Sequence, residues 1–185
     1  MASPETLGLL CAGSVMFHSG GGSSSGNQLS RSELAGLLRG LPEIAMNLAL
    51  AKWMLDLDAE RNLIAQVRVY TAGLAVNNGW TVTKGRPTIS NMAAVAVFEV
   101  VRPNQCKMCD GAKFVRSRVC SHCHGSGIAT LSGRSVATAL GVDEAIYRRL
   151  WRDRYYRVYQ TVQDIDTDVG LALRRAEREP MAAVA

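Results

Sequence analysis

The short motifs on which most enzymes depend are missing from this sequence of 185 residues. There is no HExxH to hold a catalytic metal, no GxSxG to present a nucleophile, no GxxxxGK to cradle phosphate, and no GxGxxG between a strand and a helix. The chain is therefore not expected to be an enzyme. A membrane segment is not expected either. The apolar stretch at residues 7–17 falls short of the roughly 20 residues a bilayer span needs. It has no Lys or Arg ahead of it, and Leu10 before Cys11 is a poor residue for signal cleavage. Cysteine is scarce, five in all, and four of the five fall in one cluster. That usage argues against a secreted disulfide framework and for a soluble cytoplasmic chain.

The cluster is Cys106-Lys-Met-Cys109 and Cys120-Ser-His-Cys123, with ten residues between the couples. Each couple can pinch a metal ion from one tight turn, and two couples complete the tetrahedron that structural zinc prefers. Gly111, Gly125 and Gly127 follow the couples, where the backbone must turn back so that its amides approach the sulfurs. The spacer carries Lys113, Arg116 and Arg118, which suits a short exposed hairpin. One structural Zn2+ held by Cys106, Cys109, Cys120 and Cys123 is expected, with His122 and His124 as bystanders at the rim. A catalytic zinc would keep a fourth position open beside a carboxylate, and Asp110 is the single acid in the module.

Charge is divided unevenly. Residues 1–101 carry seven basic and seven acidic side chains, so the whole net charge of +5 belongs to residues 102–185. Between Arg102 and Gln160, eleven basic residues face four acidic ones. Such a surface suits a polyanion.

The organisation predicted is mainly α: a helical body with an inserted four-cysteine zinc-binding finger and a helix-turn-helix. Residues 1–28, rich in Gly and Ser, read as a flexible tail. Residues 29–101 form the helical body. Ser30 with Glu33 makes a capping box for a helix carrying Leu34, Leu37, Leu38 and Leu41. Pro42 precedes a helix with Ile44, Leu48, Ala51, Trp53 and Leu55, in which Trp53 is a core residue. Asp58 can cap a third, lined by Leu63, Val67, Tyr70 and Leu74 and stopped at Asn77-Asn78-Gly79. Residues 81–87 form a turn, with Trp80 a candidate surface anchor beside it, and Ser90 opens a fourth helix with Met92, Val95, Ala96 and Glu99. Residues 102–128 are the zinc module, 129–165 the helix-turn-helix, and 166–185 a charged tail or helix frayed from Pro180 onward.

In residues 129–165, Ala137 is the small residue where two helices cross, Leu140 and Val142 flank the corner, Gly141 makes the turn, and Asp143 caps the second helix. Tyr147, Leu150 and Trp151 take the inward phase. Arg134 and Ser135 on the first helix, with Asp143, Glu144, Arg148, Arg149 and Arg152 on the second, face outward toward DNA. Arginine's planar fork suits guanine edges and phosphate alike. Arg154 and Arg157, further along a helix running to about Ile165, suit backbone phosphate.

The cysteine couples, the run Cys120-Ser-His-Cys123-His-Gly125-Ser-Gly127 and the stretch Arg134 to Val162 together resemble the late-gene antitermination proteins (Q) of lambda-like phages, over roughly residues 45–170. The front half resembles them only in helical pattern, and the spacer between couples is shorter than in lambda's own protein. The resemblance implies a non-enzymatic factor of the host bacterial cytoplasm. It would bind double-stranded late-promoter DNA, engage paused host RNA polymerase with its sigma factor attached, and carry it past terminators with the elongation factor NusA as helper. It implies that the four cysteines hold zinc and that Arg148, Arg149 and Arg152 meet the DNA. Two alternatives stand beside it. One is a zinc-containing helix-turn-helix repressor or activator that never travels with polymerase. The other is a chaperone-like zinc module of the J-protein kind, although that region has four couples and this chain has two.

Overall fold

The computed structural model describes residues 30–81 and 88–182, from residue 177 onward by backbone alone. The tail at 1–28 with Cys11, the turn at 81–87 beyond Thr81, and the last three residues lie outside it. The chain divides into two compact units. One comprises Glu43–Arg102 and Thr130–Asp166; the other comprises Met1–Pro42, Pro103–Ala129 and Thr167–Ala185. Among the described residues no helix is long and apolar enough to cross a membrane.

The first unit begins with α2, Glu43–Trp53, which follows α1, Arg31–Leu37, of the second. Helix α2 buries Ala45, Asn47 and the run Leu48, Ala49, Leu50 and Ala51, so it is covered nearly all round. It stops at Trp53, which is half-buried rather than core, and it does not carry Leu55. The amides of Met54 and Asp56 both reach back to the Leu50 carbonyl, and Leu55 takes a φ of +53°. That left-handed stop is ordinarily glycine's, and it turns the leucine side chain out to 51% exposure.

Helix α3, Leu57–Asn77, is capped by Asp56 and not by Asp58. The Asp56 carboxylate accepts from the amides of Asp58 and Ala59, both at 3.0 Å, while Asp58 faces solvent and pairs with Arg61. The buried face of α3 is Ala59, Leu63, Val67, Thr71 and Ala75. Tyr70 is exposed and Leu74 flanks the face. Small residues at 59, 71 and 75 allow α3 to approach α2 and α4 (Thr88–Val101), against both of which it packs. Close approach of backbones, more than the largest side chains, sets the phase. The Thr71 hydroxyl, buried on this face, donates to the Val67 carbonyl at 2.7 Å. Helix α4 starts two residues before Ser90, and α5 (Gly133–Leu140) packs on it.

Helix α5 is capped by Ser132, whose hydroxyl accepts from the Ser135 amide at 3.1 Å, and it ends at Gly141 with φ +71°. Asp143 caps α6, Glu144–Ile146. A π turn, Tyr147–Trp151, and α7, Arg152–Ala182, follow without a break. Helix α7 thus runs well past the expected end near Ile165. Val158, Val162, Val169 and Leu173, all buried, keep one apolar stripe going through the charged sequence.

Within the first unit, Glu99 of α4 is only 5% exposed. One carboxylate oxygen accepts from the Leu131 amide at 2.8 Å and the other from the Tyr155 hydroxyl. Burial, followed by that bond and the carboxylate's charge, pushes Tyr155 far above the usual tyrosine range. Lys52 and Asp166 form a two-oxygen ion pair at 2.8 Å in the same unit.

In the second unit, α1 shows both halves of its capping box. The Ser30 hydroxyl accepts from the Glu33 amide at 3.2 Å, and the Glu33 carboxylate accepts from the Ser30 amide at 2.7 Å. Leu34 and Leu38 are buried. The cysteine module consists of two small antiparallel pairs, β1 (Asn104–Gln105) with β4 (Ile128–Ala129), and β2 (Phe114–Val115) with β3 (Arg118–Val119).

Candidate metal centre and arginine-bearing helix

The four cysteines occupy turns fixed by backbone hydrogen bonds. The Cys106 amide donates to the Gly127 carbonyl at 2.9 Å, continuing the β1–β4 pairing, and the Cys120 amide donates to the Lys113 carbonyl at 2.9 Å, continuing the β2–β3 hairpin. Each strand pair therefore hands one cysteine of each couple to a common point. The Cys109 amide turns back to the Cys106 carbonyl at 3.3 Å, so the first couple sits within one turn.

Gly127 is indispensable to this geometry. It has φ +78°, and a Cβ there would lie 2.7 Å from the Gly111 carbonyl oxygen. Its amide points to the Cys123 sulfur at 3.3 Å.

All four sulfurs lie within 4.8 Å of one another. Cys106 and Cys120 are 3.9 Å apart, Cys109 and Cys123 3.7 Å, and none is in a disulfide. A tetrahedral ion with metal–sulfur bonds of about 2.3 Å requires sulfur–sulfur edges of about 3.8 Å. The residues fit one such ion. All four cysteines are buried, whereas His122 and His124 are exposed and lie outside the sulfur cluster.

The protons of the facing pair are unequally held. Burial, reinforced by the Cys123 contact, pushes the Cys109 thiol up to about 11. At Cys123 burial also acts upward, but the Gly127 amide and the neighbouring thiols outweigh it and bring the group down to about 6. Metal binding would displace the protons that remain on the four thiols.

The expected DNA-facing residues lie in the first unit and are not equivalent. Arg148 and Arg149 are exposed and make no ion pair or hydrogen bond among the described residues. Arg152 is exposed beside Asp153, 3.1 Å away. Arg134 is exposed, 3.7 Å from the Glu144 carboxylate. Arg157 is exposed and donates to the Asn78 side chain at 3.1 Å. Ser135 shares a 2.8 Å hydrogen bond with the Ser132 hydroxyl, and the Asp143 carboxylate accepts from the Ala145 amide at 2.7 Å, so both serve local capping.

Arg154 is placed otherwise. Its guanidinium lies over the Trp151 and Trp80 rings, 4.8 and 5.4 Å from their centroids, and its Nη1 is buried with no hydrogen-bond partner among the described residues. A cation held over two indoles is not presented to a phosphate backbone. Trp80, half-buried, is engaged in the same contact and is not a bare surface anchor. Leu150, expected inward, is 43% exposed.

Sequence reasoning gave Glu99 no role beyond a position on a helix face. The available signal was an acid in phase with Met92 and Ala96 on an otherwise apolar stripe.

No family model, curated protein or solved structure matches the chain.

Proposed function

We propose that the protein is a zinc-containing transcription antitermination factor. It binds late-promoter DNA through α5, the Gly141 turn and α6 acting as a helix-turn-helix, loads onto paused bacterial RNA polymerase with its sigma factor and NusA, and promotes readthrough of terminators in the host cytoplasm. The observation that carries the DNA-binding part is the pair Arg148 and Arg149, exposed and without an ion pair or hydrogen bond among the described residues, just beyond a capped, glycine-hinged helix pair. Free guanidinium groups on a helix projecting from such a turn are what base edges and phosphates require. The four-thiolate centre supports zinc as its ion, because soft thiolate ligands in a tetrahedron favour it among abundant divalent metals. The antitermination part rests on the sequence resemblance.

The test is transcription in vitro through an intrinsic terminator. Readthrough should rise only on a template carrying the cognate late promoter. Tight promoter binding with no readthrough would refute antitermination and leave a repressor or activator. Arg148→Ala should weaken specific binding by about 1–3 kcal/mol if it reads a base. A fall in salt dependence with unchanged sequence preference would instead assign it to phosphate.

A further inference from the structure

The first unit contains a cavity of about 320 Å³ bounded by α4, the start of α5, and the helical run from α6 into α7. Its floor is Glu99, and its walls and rim include Tyr147, Tyr156, Arg148 and Arg152. We propose that this cavity receives one unpaired nucleotide, the base against the Tyr156 ring and the phosphate on Arg148 and Arg152. The proposal rests on the reading of the protein as nucleic-acid-binding and adds to it a site for a base outside the duplex.

The lining chemistry selects this class. Two rim arginines disfavour a cation such as an ammonium group, although the tyrosines would otherwise suit one. Two carboxylates, Glu99 and Glu144, disfavour a free polyanion seated deep in the cavity. The Glu99 oxygens already accept from Leu131 and Tyr155, so Glu99 forms a fixed polar floor. A flat heterocycle with one phosphate meets both sets of constraints. The volume lies near the lower end of the roughly 300–1,000 Å³ range of small-molecule sites, enough for one nucleotide and too little for a stacked pair.

The ring available to a base is that of Tyr156, since Tyr147 and Tyr155 are buried. Tyr156 is 54% exposed and makes no hydrogen bond among the described residues. It meets Tyr155 edge-on at 6.1 Å, which leaves a ring face uncovered by that neighbour. Burial pushes Tyr147 and Tyr159 up to about 12, so their hydroxyls stay neutral beside a phosphate at physiological pH. The π turn, where the Arg152 amide bonds to the Tyr147 carbonyl, contributes Tyr147 and Arg148 to the lining. Single π turns recur at functional sites because they re-aim side chains that an α-helix would space evenly.

The experiment measures fluorescence anisotropy of labelled single-stranded DNA, single-stranded RNA of the same sequence, and the DNA duplex, using the full-length metal-loaded protein at one fixed salt concentration. Stacking on one ring is worth roughly 1–3 kcal/mol per base, so Tyr156→Ala should weaken single-strand binding about 5- to 150-fold and leave the duplex unchanged. Tyr156→Phe, which keeps the ring, should retain single-strand affinity. The strand bound more tightly by the unaltered protein identifies the source of the nucleotide. Single-strand affinity unchanged in Tyr156→Ala, with duplex binding intact, overturns the cavity proposal and leaves the DNA-binding reading standing. Failure to bind any of the three ligands overturns both.

Discussion

Removing the Tyr155 hydroxyl tests the buried bond that ties α7 to α4. Tyr155→Phe keeps the ring and strips one donor from a carboxylate that is only 5% exposed. A hydrogen bond to a charged partner contributes about 1.5–3 kcal/mol, and a loss in that range is expected. Glu99→Leu is harsher. It orphans both the Tyr155 hydroxyl and the Leu131 amide, at about 1–3 kcal/mol each. In the double variant the tyrosine hydroxyl is already absent and only the Leu131 amide is orphaned, so the combined loss should fall short of the sum by about 2.5–6 kcal/mol. Urea unfolding followed by tryptophan fluorescence suits the measurement, since Trp53, Trp80 and Trp151 all belong to the unit that holds this bond. With a slope of about 2 kcal/mol per molar urea, Tyr155→Phe should move the midpoint down by about 1 M. Additivity within about 0.5 kcal/mol would refute the claim that the two side chains act as one buried unit.

Three further outcomes are expected. Cys120→Ser should reduce bound metal from one ion per chain to well below one, measured by mass spectrometry of the purified protein, and should leave the tryptophan-reported transition of the other unit in place; undiminished metal content refutes the ligand assignment. Gly127→Ala forces a Cβ to within 2.7 Å of the Gly111 carbonyl at φ +78°, so metal affinity by chelator competition should fall at least about tenfold; unaltered affinity would mean that the turn can open without disturbing the sulfurs. Alkaline pH should destabilise the first unit. Tyr147 and Tyr159 are raised to about 12, so the unfolded chain ionises first, near pH 10; stability is full below that and is lost as pH climbs toward 12. Tyr159→Phe should flatten this decline in urea midpoints taken across that interval, and an identical slope would remove Tyr159 from the cause.

What the sequence made legible was local. The capping box at Ser30 and Glu33, the cap at Asp143, the left-handed Gly141 and the cysteine couples each draw on residues a few positions apart, and in each the chemistry admits few alternatives. The readings that moved depended on partners distant in sequence. Asp56 and Asp58 are equivalent as caps until Leu55 reverses the chain and puts the Asp56 carboxylate over the first turn. The buried face of α3 turned away from Tyr70 because alanine and threonine, not large side chains, let it lie close to its neighbours. Glu99 finds its donors 32 and 56 residues away, beyond any periodicity.

The displaced residues near the arginine-bearing helix lie in or just after the π turn. Tyr147, Trp151 and Tyr155 are all buried at successive steps of four, a spacing that drifts by about 40° per step on a helix of 3.6 residues per turn and so stays on one face. The π turn lies between the first two of them, where the Arg152 amide bonds to the Tyr147 carbonyl. Leu150 in this turn is exposed, and Arg154 rests over Trp151 and Trp80. Arg148 and Arg149 lie on the exposed side, with no ion pair or hydrogen bond among the described residues. The arginines of this run are thus divided: Trp80 and Trp151 hold Arg154 against their rings, while Arg148 and Arg149 stay exposed to meet a polyanion.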